Sequence, residues 1–241
     1  RFVVATGSAP LVPPIPGLDM VPYLTNETLF DLRERPDHLL CIGGGPIGIE
    51  MAQAHRRLGC EVTVIEGDKA LGRDDPEAAA LVLGKLRDEG VRIVEGAQAE
   101  KVTGGDGITV ETGQGAFTGS HLLVAVGRKV NTDGLDLNKA GVKTDRGVVV
   151  GDELRSSNRR IYAVGDAAGR QQFTHVAGYH AGVVVRALAL GLPARAKDAH
   201  LPRATYTDPE LAQVGLTEAE ARTEYGGRLE VVRAEYAEND R

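Results

Sequence analysis

Three glycines in one short stretch have the spacing expected of a site for a phosphate group. Gly43, Gly45 and Gly48 follow the apolar run 39–42 in the order G-x-G-x-x-G. A turn without Cβ atoms lets backbone N–H groups approach a pyrophosphate, and a following helix N-terminus adds partial positive charge. Glu66 ends the next apolar run, where a carboxylate accepts hydrogen bonds from ribose hydroxyls. The spacing alone also fits an ordinary glycine-rich loop, but the combination of strand, turn, helix and acid predicts dinucleotide binding.

The pattern around the glycines predicts the elements that position them. One helical pattern starts at Pro46 and stops at Gly59, and a second starts at Asp75 and stops at Gly90. Strands before, between and after these helices complete a β-α-β-α-β order by residue 95, which predicts a parallel sheet. Short segments separated by glycine-rich turns then predict a three-stranded antiparallel meander at 97–103, 107–112 and 115–118.

Shorter elements are expected on both sides of this unit. Strands are predicted at 1–8, 121–126, 148–150, 161–166, 204–207, 211–216 and 229–236. Helices are predicted at 26–34, 173–190 and 217–226, with a weak helical patch at 135–140. The proline-rich stretch 9–17 is expected to be a stiff connector outside any strand, because proline lacks a backbone N–H and fixes φ.

Composition narrows the class of protein. The 241 residues are 42% hydrophobic and 26% charged, as in an ordinary globular protein, and a net charge of −6 favours neither nucleic acid nor an anionic membrane as a partner. Cys41 and Cys60 are spaced unlike a redox pair, so we interpret both as structural thiols in a reducing compartment. The histidines show no ligand spacing, which predicts no metal site. Without a signal-peptide pattern or a bilayer-length apolar run, a cytoplasmic protein with no membrane partner is expected.

Three further signatures stand in a fixed order with the glycine loop. They are Ala5-Thr6-Gly7-Ser8, Val124-Ala125-Val126-Gly127-Arg128-Lys129-Val130-Asn131 and Ala163-Val164-Gly165-Asp166. Together they resemble the class I pyridine nucleotide-disulfide oxidoreductases of the dihydrolipoamide dehydrogenase and mercuric reductase type. The segment 206–215 is similar to the opening of that family's C-terminal interface domain, so the resemblance covers essentially the whole chain.

The resemblance implies an α/β fold in four parts. Residues 1–36 would end the first FAD-domain segment with its linker, and 37–128 would form a Rossmann-like NAD(P)-binding domain with the antiparallel meander. Residues 129–200 would form the second FAD-domain segment. Residues 201–241 would begin an α+β dimerisation domain.

The resemblance also implies two sets of cofactor contacts. The NAD set is Gly43, Gly44, Gly45, Pro46, Ile47, Gly48, Glu50, Glu66, Val102 and Gly127. The FAD set is Thr6, Gly7, Ser8, Asp166, Gln172, Phe173, Thr174 and His175.

Several of these assignments have an ordinary structural alternative. Glu50 matches the acid that lies toward the nicotinamide, but it also fits an exposed helix position. Asp166 matches the acid that accepts a hydrogen bond from a ribityl hydroxyl, although a strand-end turn residue would look the same. Val102 and Gly127 are compatible with plain sheet and turn roles.

The same resemblance bears on the choice of cofactor. A carboxylate at Glu66 repels a 2′-phosphate and favours NAD over NADP, a preference that Lys69 and Arg73 soften unless both are solvated loop cations. The segment 172–175 matches the place where a helix N-terminus meets the flavin ring, and the helix dipole there favours the negative charge of reduced flavin.

Some parts of the family pattern do not occur in the sequence, which affects the expected function. The N-terminal FAD glycine motif, the C-x-x-x-x-C pair and the C-terminal acid–base histidine are not found, and no catalytic residue is visible. We therefore expect an internal portion, inactive alone, of a homodimeric FAD-dependent NAD(P)H oxidoreductase. The full enzyme would pass hydride equivalents to a redox disulfide and then to a small disulfide or metal-ion substrate. A related flavoprotein without the disulfide (a transhydrogenase, or a quinone or metal reductase) and a non-catalytic nucleotide-binding module are the alternatives.

Overall fold

The computed structural model describes residues 1–235 and residue 238. Its strands are β1 (Phe2–Val4), β2 (Ser8–Pro10), β3 (His38–Ile42), β4 (Glu61–Ile65), β5 (Arg92–Val94), β6 (Ala99–Gly104), β7 (Ile108–Thr112), β8 (Gly115–Gly119), β9 (His121–Val124), β10 (Arg128–Val130), β11 (Ile161–Ala163), β12 (Pro202–Thr205) and β13 (Leu211–Val214). Its α-helices are α1 (Pro46–Arg57), α2 (Pro76–Asp88), α3 (Thr174–Leu188) and α4 (Glu218–Tyr225). Short 3-10 turns occur at Leu18–Met20, Leu29–Asp31, Gly165–Ala168, Asp198–His200 and Gly226–Arg228.

Four parallel strands in the order β5-β4-β3-β9 form the central sheet. The central strand β3 pairs in register with β4, Leu39 opposite Val62, and with β9, Leu39 opposite His121. These strands are almost entirely buried, as expected where both faces of a parallel sheet are covered. The predicted α/β fold with a β-α-β-α-β unit is confirmed.

Alternate residues of β3 belong to two different cores. Leu39 and Cys41 pack with residues of α1 and α2, whereas Leu40 and Ile42 pack with residues of β6, β7 and β8. Successive side chains of a strand point to opposite faces, so the helices cover one face of the sheet and the meander covers the other. The strands β6, β7 and β8 pair antiparallel in sequence order, which confirms the predicted meander.

Two α-helices begin at side chains that cap their N-termini. The Asp75 carboxylate accepts hydrogen bonds from the N–H groups of Glu77 and Ala78 at 3.0 and 3.4 Å, which starts α2. Thr217 and Glu220 form a reciprocal capping box at the start of α4. Such side chains satisfy the helix N–H groups that have no intrahelical partner.

The chain enters and leaves the central unit side by side. β2 pairs antiparallel with β10, with Ser8 opposite Val130 and Pro10 opposite Arg128. The prediction that residues 9–17 lie outside any strand is therefore wrong at its start. Pro10 is tolerated because one edge of each strand in a two-stranded ribbon makes no ladder bonds. Nearby, β1 and β11 pair in parallel.

The C-terminal segment packs on the central unit. β12 and β13 form an antiparallel pair, with Pro202 opposite Val214. Leu211, at the start of β13, is 4% exposed and belongs to the same core as Ile49 and Ala52 of α1. The hairpin is therefore held by the hydrophobic core of the glycine-loop unit.

Two of the predicted helices do not form as α-helices. Residues 26–34 contain only the 3-10 turn at Leu29–Asp31, where Leu29 alone is buried. Residues 135–140 form turns, because Asp136 has a φ of 49° and the patch is flanked by Gly134 and Gly141, which have φ of 78° and 69°. A left-handed residue cannot continue a right-handed helix.

Several predicted strands also differ. The strand predicted at 1–8 is divided into β1 and β2, and residues 5–7 belong to neither. Residues 148–150 make two isolated bridges, Val148 with Thr144 and Val150 with Ser156, instead of a strand. The strand 161–166 ends at Ala163 and is followed by the turn Gly165–Ala168. Residues 229–235 are exposed or half-buried and form no strand, and Tyr236 lies outside the described residues.

Within residues 1–235 and 238, no helix is both long enough and apolar enough to span a membrane.

Candidate dinucleotide-binding site

The three glycines at the junction of β3 and α1 have different surroundings. Gly43 has a φ of 109°, and a Cβ on it would lie 2.5 Å from the carbonyl oxygen of Ala125. A Cβ on Gly48 would lie 2.0 Å from the carbonyl oxygen of Gly43. A Cβ on Gly45 would meet no heavy atom of the described residues within 4 Å. The first and third glycines are thus required by chain packing, whereas the middle one leaves the backbone open to a ligand.

Helix α1 begins at this open glycine. Gly45 is the N-cap residue and Pro46 occupies the first turn, where a missing N–H costs nothing. Gly43 is held from behind, because its N–H donates to the carbonyl oxygen of Ile65 at 2.9 Å. The first N–H groups of a helix have no intrahelical partner and lie at the positive end of its dipole. The residues present therefore fit a pyrophosphate.

Glu66 lies directly after β4, beside the glycine loop. Its Oε2 accepts a hydrogen bond from the N–H of Gly44 at 2.6 Å, and its Oε1 accepts one from the N–H of Asp68 at 2.9 Å. These bonds fix the carboxylate next to the loop that fits the pyrophosphate. Two carboxylate oxygens in that place suit a pair of ribose hydroxyls, and their charge opposes a further phosphate.

The cations that follow Glu66 share their surroundings with acids. Lys69 and Arg73 line a cleft of about 660 Å³ together with Asp74 and Arg203. Arg203 pairs with Asp74 at 3.4 Å and donates to the carbonyl oxygen of Arg73 at 2.9 Å. Burial raises the pKa of Asp74, and the charge of Arg203 opposes that rise. The cleft therefore carries both signs of charge.

Glu50 is on α1 and contacts the C-terminal segment. Its Oε1 accepts a hydrogen bond from the N–H of Tyr206 at 2.9 Å. Burial raises the pKa of the Glu50 carboxyl, and this hydrogen bond partly offsets the rise. The Glu50 side chain thus links α1 of the glycine-loop unit to the residue that follows β12.

Three other residues of the predicted NAD set have mainly structural contacts. Ile47 packs against the helix-side core, which is the core that Leu39 and Cys41 form with residues of α1 and α2. Val102 is 1% exposed, and its N–H donates to the carbonyl oxygen of Pro16 at 2.9 Å. Gly127 has a φ of 132°, where a side chain would be strained. Cofactor contacts for these residues stay predictions.

Two predicted FAD residues that are far apart in the sequence, Ser8 and Asp166, both contact Arg128. The Ser8 hydroxyl donates to the Asp166 carboxylate, and the Arg128 guanidinium donates to the Ser8 hydroxyl at 2.6 Å. Arg128 lies 3.7 Å from the same carboxylate. Thr6 pairs instead with Asn131, whose carbonyl oxygen accepts a hydrogen bond from the Thr6 hydroxyl at 2.6 Å. Gly7 lies between them with a φ of 66°.

The remaining predicted FAD residues surround the start of α3. Phe173 is the N-cap residue and Thr174 the first residue of the helix, with half-buried Gln172 just before it. The rings of Phe173 and His175 stack with their centroids 5.4 Å apart. His175 Nε2 donates to the carbonyl oxygen of Pro202 at 2.7 Å, which ties this helix end to β12.

The four-residue strand β12 joins the two predicted sites. At one end Pro202 accepts the bond from His175 of α3, and just past the other end Tyr206 donates to Glu50 of α1. The start of the helix predicted to meet flavin and the acid predicted to meet nicotinamide therefore lie along one strand.

Sequence reasoning missed several residues of this arrangement. Arg128 and Asn131 belong to the signature 124–131, but only Gly127 of that signature was predicted to contact a cofactor. The contacts of Gln53 and Pro202 could not be predicted from local sequence, because their partners are distant in the chain and become neighbours only in the folded structure. Asp208, for example, pairs with Gln53 across 155 positions.

The two cysteines are both buried. Burial raises the pKa of the Cys41 thiol to about 12 and also raises that of Cys60. Such thiols stay protonated at neutral pH, which agrees with their interpretation as structural residues.

An α/β unit with an open glycine turn and an acid after its second strand defines a dinucleotide-binding protein. The model of the family described as "Pyridine nucleotide-disulphide oxidoreductase" matches residues 1–181, and that of its dimerisation domain matches residues 201–241. The chain belongs to this family, whose members are FAD-containing oxidoreductases that use NAD(P)H.

Individual relatives agree with this assignment. A mercuric reductase of Streptomyces lividans is 43% identical over 228 residues, covering 91% of this chain and 48% of the relative. A dihydrolipoyl dehydrogenase of Bacillus subtilis (strain 168) is 35% identical over 231 residues, covering 94% and 50%. The HOCl-induced flavoprotein disulfide reductase RclA from Escherichia coli has a TM-score of 0.85 and 32% identity, over 92% of this chain and 52% of that chain. The chain thus spans about half the length of these relatives.

Proposed function

We propose that this chain is the nicotinamide-binding portion of an FAD-dependent oxidoreductase, with NAD as its preferred nicotinamide cofactor. The observation that carries the proposal is the glycine loop, where open Gly45, the start of α1 and the Glu66 carboxylate meet. When bound, the two cofactors supply the redox chemistry by passing hydride equivalents from nicotinamide to flavin. The division into domains at 36, 128 and 200 is part of the same proposal.

The residues of the chain bind and orient these cofactors. The loop 43–48 holds the pyrophosphate, Glu66 holds the ribose, and Glu50 lies toward the nicotinamide. The cluster of Ser8, Arg128 and Asp166 supports the assignment of a flavin nucleotide to that region, because it places a half-buried carboxylate where three segments of the chain meet. The strand β12 supports a close approach of the two sites.

The electron acceptor of the whole enzyme is proposed from the relatives. A redox disulfide that passes electrons to a small disulfide or metal-ion substrate agrees with the similarity to a mercuric reductase and to a flavoprotein disulfide reductase. A homodimer formed through the C-terminal domain agrees with the match to the dimerisation domain. A cytoplasmic location stays a prediction from composition.

Calorimetric titration of this chain with NADH and NADPH tests the nicotinamide assignment. We expect NADH to bind at least about tenfold more tightly, which is about 1.4 kcal/mol, because the Glu66 carboxylate repels a 2′-phosphate. The variant Glu66→Gln should lose most of this preference while keeping the fold. Tighter binding of NADPH by the unmodified chain would refute the assignment, and binding of neither would refute the proposed function.

The visible absorption spectrum of the whole enzyme tests the flavin assignment. A purified yellow protein whose flavin is bleached by NADH is expected. A colourless protein that still binds NADH would instead support the non-catalytic nucleotide-binding module.

A further inference from the structure

One stripe of α1 holds the segment that precedes β13. Glu50, Gln53 and Arg57 are spaced so that they lie on the same side of the helix. Glu50 accepts the N–H of Tyr206, and Arg57 donates to the Asp208 carboxylate at 2.8 Å. Gln53 lies between them and contacts the backbone of Asp208.

The contact of Gln53 is a reciprocal pair of hydrogen bonds. Its Nε2 donates to the carbonyl oxygen of Asp208 at 2.8 Å, and its Oε1 accepts the N–H of Asp208 at 2.8 Å. Gln53 is 4% exposed. The Gln53 amide is buried whereas Asp208 is an exposed residue, so this pair of bonds anchors the Asp208 peptide to α1.

We propose that Gln53 is a positioning residue for Glu50: by fixing the Asp208 peptide, it holds the Tyr206 N–H against the Glu50 carboxylate and thereby orients that carboxylate toward the nicotinamide. The inference rests on the proposed function, in which Glu50 faces the nicotinamide. Only Thr207 separates Asp208, which Gln53 binds, from Tyr206, whose N–H Glu50 binds. A shift of the Asp208 peptide therefore moves the Tyr206 N–H.

The expected consequence is a difference between the two forms of the cofactor. The oxidised nicotinamide ring is positively charged and the reduced ring is neutral. A fixed carboxylate beside the ring therefore favours NAD⁺ over NADH. A carboxylate released to solvent loses that preference.

The experiment measures dissociation constants of NAD⁺ and NADH for this chain by calorimetry. Glu50→Gln removes the carboxylate charge entirely and therefore shows the largest change expected, a rise in the ratio Kd(NAD⁺)/Kd(NADH) of about fivefold or more. Gln53→Met, similar in volume but without the amide, should raise the ratio to a similar extent. A purely structural defect would weaken both forms equally and leave the ratio unchanged.

Arg57→Gln is the matched control on the same helix. It removes the ion pairs of Arg57 with Asp208 and Glu89 but keeps the amide pair of Gln53, so the ratio should stay within about twofold of the unmodified chain. Hydrogen exchange gives an independent readout. The Tyr206 amide should lose protection in Gln53→Met and keep it in Arg57→Gln.

The possible outcomes are distinguishable. An unchanged ratio in Gln53→Met, or an unchanged ratio in Glu50→Gln, would overturn the inference while NADH binding itself upheld the proposed function. Absence of NADH binding by the unmodified chain would overturn both. Should Gln53→Met melt below the assay temperature, Gln53→Asn replaces it, because its amide is one methylene too short to reach Asp208, and the same criteria apply.

Discussion

Glycines that look equivalent in the sequence act differently at the scale of single residues. Gly48 is needed because the backbone of Gly43 occupies the space of its missing side chain. Gly45 faces open space and has a φ of −75°, which any residue adopts. Chain packing therefore requires Gly48, whereas we expect Gly45 to be required for the proposed binding of a pyrophosphate.

Substitution of each glycine by alanine should separate these two roles. Gly48→Ala should lower the free energy of unfolding by about 3 kcal/mol, because the new methyl group overlaps a backbone oxygen. Gly45→Ala should lower it by less than about 1 kcal/mol but weaken NADH binding by about tenfold or more. Urea denaturation and calorimetric titration measure the two effects. Equal NADH affinity in folded Gly45→Ala would contradict a pyrophosphate at this turn.

The sequence alone predicted the site residues whose spacing is local. The glycines, Pro46 and Glu66 fall within one β-α-β unit, so their relative positions follow from regular strand and helix geometry. Arg128 was missed because its partners Ser8 and Asp166 lie far away in the chain and become neighbours only in the folded structure.

At the scale of elements, the C-terminal ends of α1 and α2 are joined by one acid. Glu89 follows α2, and its carboxylate accepts two hydrogen bonds from Arg57 of α1, at 2.6 and 3.2 Å. The pKa of Glu89 is lowered from 4.5, chiefly by these bonds with Arg57. A lowered pKa in the folded state means that ionised Glu89 stabilises the fold.

This pair should make a pH-dependent contribution to stability. The contribution is present above the ordinary Glu pKa of 4.5 and is lost as the pH falls through the lower folded-state pKa. Glu89→Gln should therefore be less stable than the unmodified chain near neutral pH, and the difference should shrink below 4.5. Urea denaturation across this pH range measures it. The exposed acid Glu100 on β6 is the matched control, and Glu100→Gln should leave the pH dependence unchanged.

Elements with a strong local signal were predicted best. α2 has a capping Asp75, a first-turn proline and a closing Gly90, and its observed bounds match the prediction closely. The weak patch 135–140 failed because Asp136 takes a left-handed conformation that local spacing does not reveal. Ala9 and Pro10 were not predicted to lie in a strand because their partner, β10, is far away in the sequence and becomes adjacent only in the fold.

At the scale of the whole molecule, the C-terminal hairpin shares a hydrophobic core with the central unit. Leu211 is buried with Ile49 and Ala52 in the helix-side core, while Val214, at the end of the same strand, is 59% exposed. The hairpin and the glycine-loop unit therefore share hydrophobic stabilisation.

Truncation of Leu211 should accordingly destabilise the central unit. Leu211→Ala is expected to lower the free energy of unfolding by about 2–5 kcal/mol, whereas Val214→Ala should change it by about 0.5 kcal/mol or less. Urea denaturation followed by circular dichroism compares the two variants. A separate early transition in Leu211→Ala, with the main transition unmoved, would show that the hairpin is an independent appendage.

The short ribbon of β2 and β10 has a consequence for how such a chain can be rebuilt. Because the two strands lie about 4.8 Å apart, residues 11–127 leave and rejoin the rest of the molecule at neighbouring points. A segment with adjacent ends can be replaced by a segment whose ends have the same geometry, whereas its removal would expose Leu211, which packs in its core. The ribbon is thus the junction at which residues 11–127 would be exchanged for the corresponding residues of a relative, and the replacement would have to keep the core position that Leu211 fills.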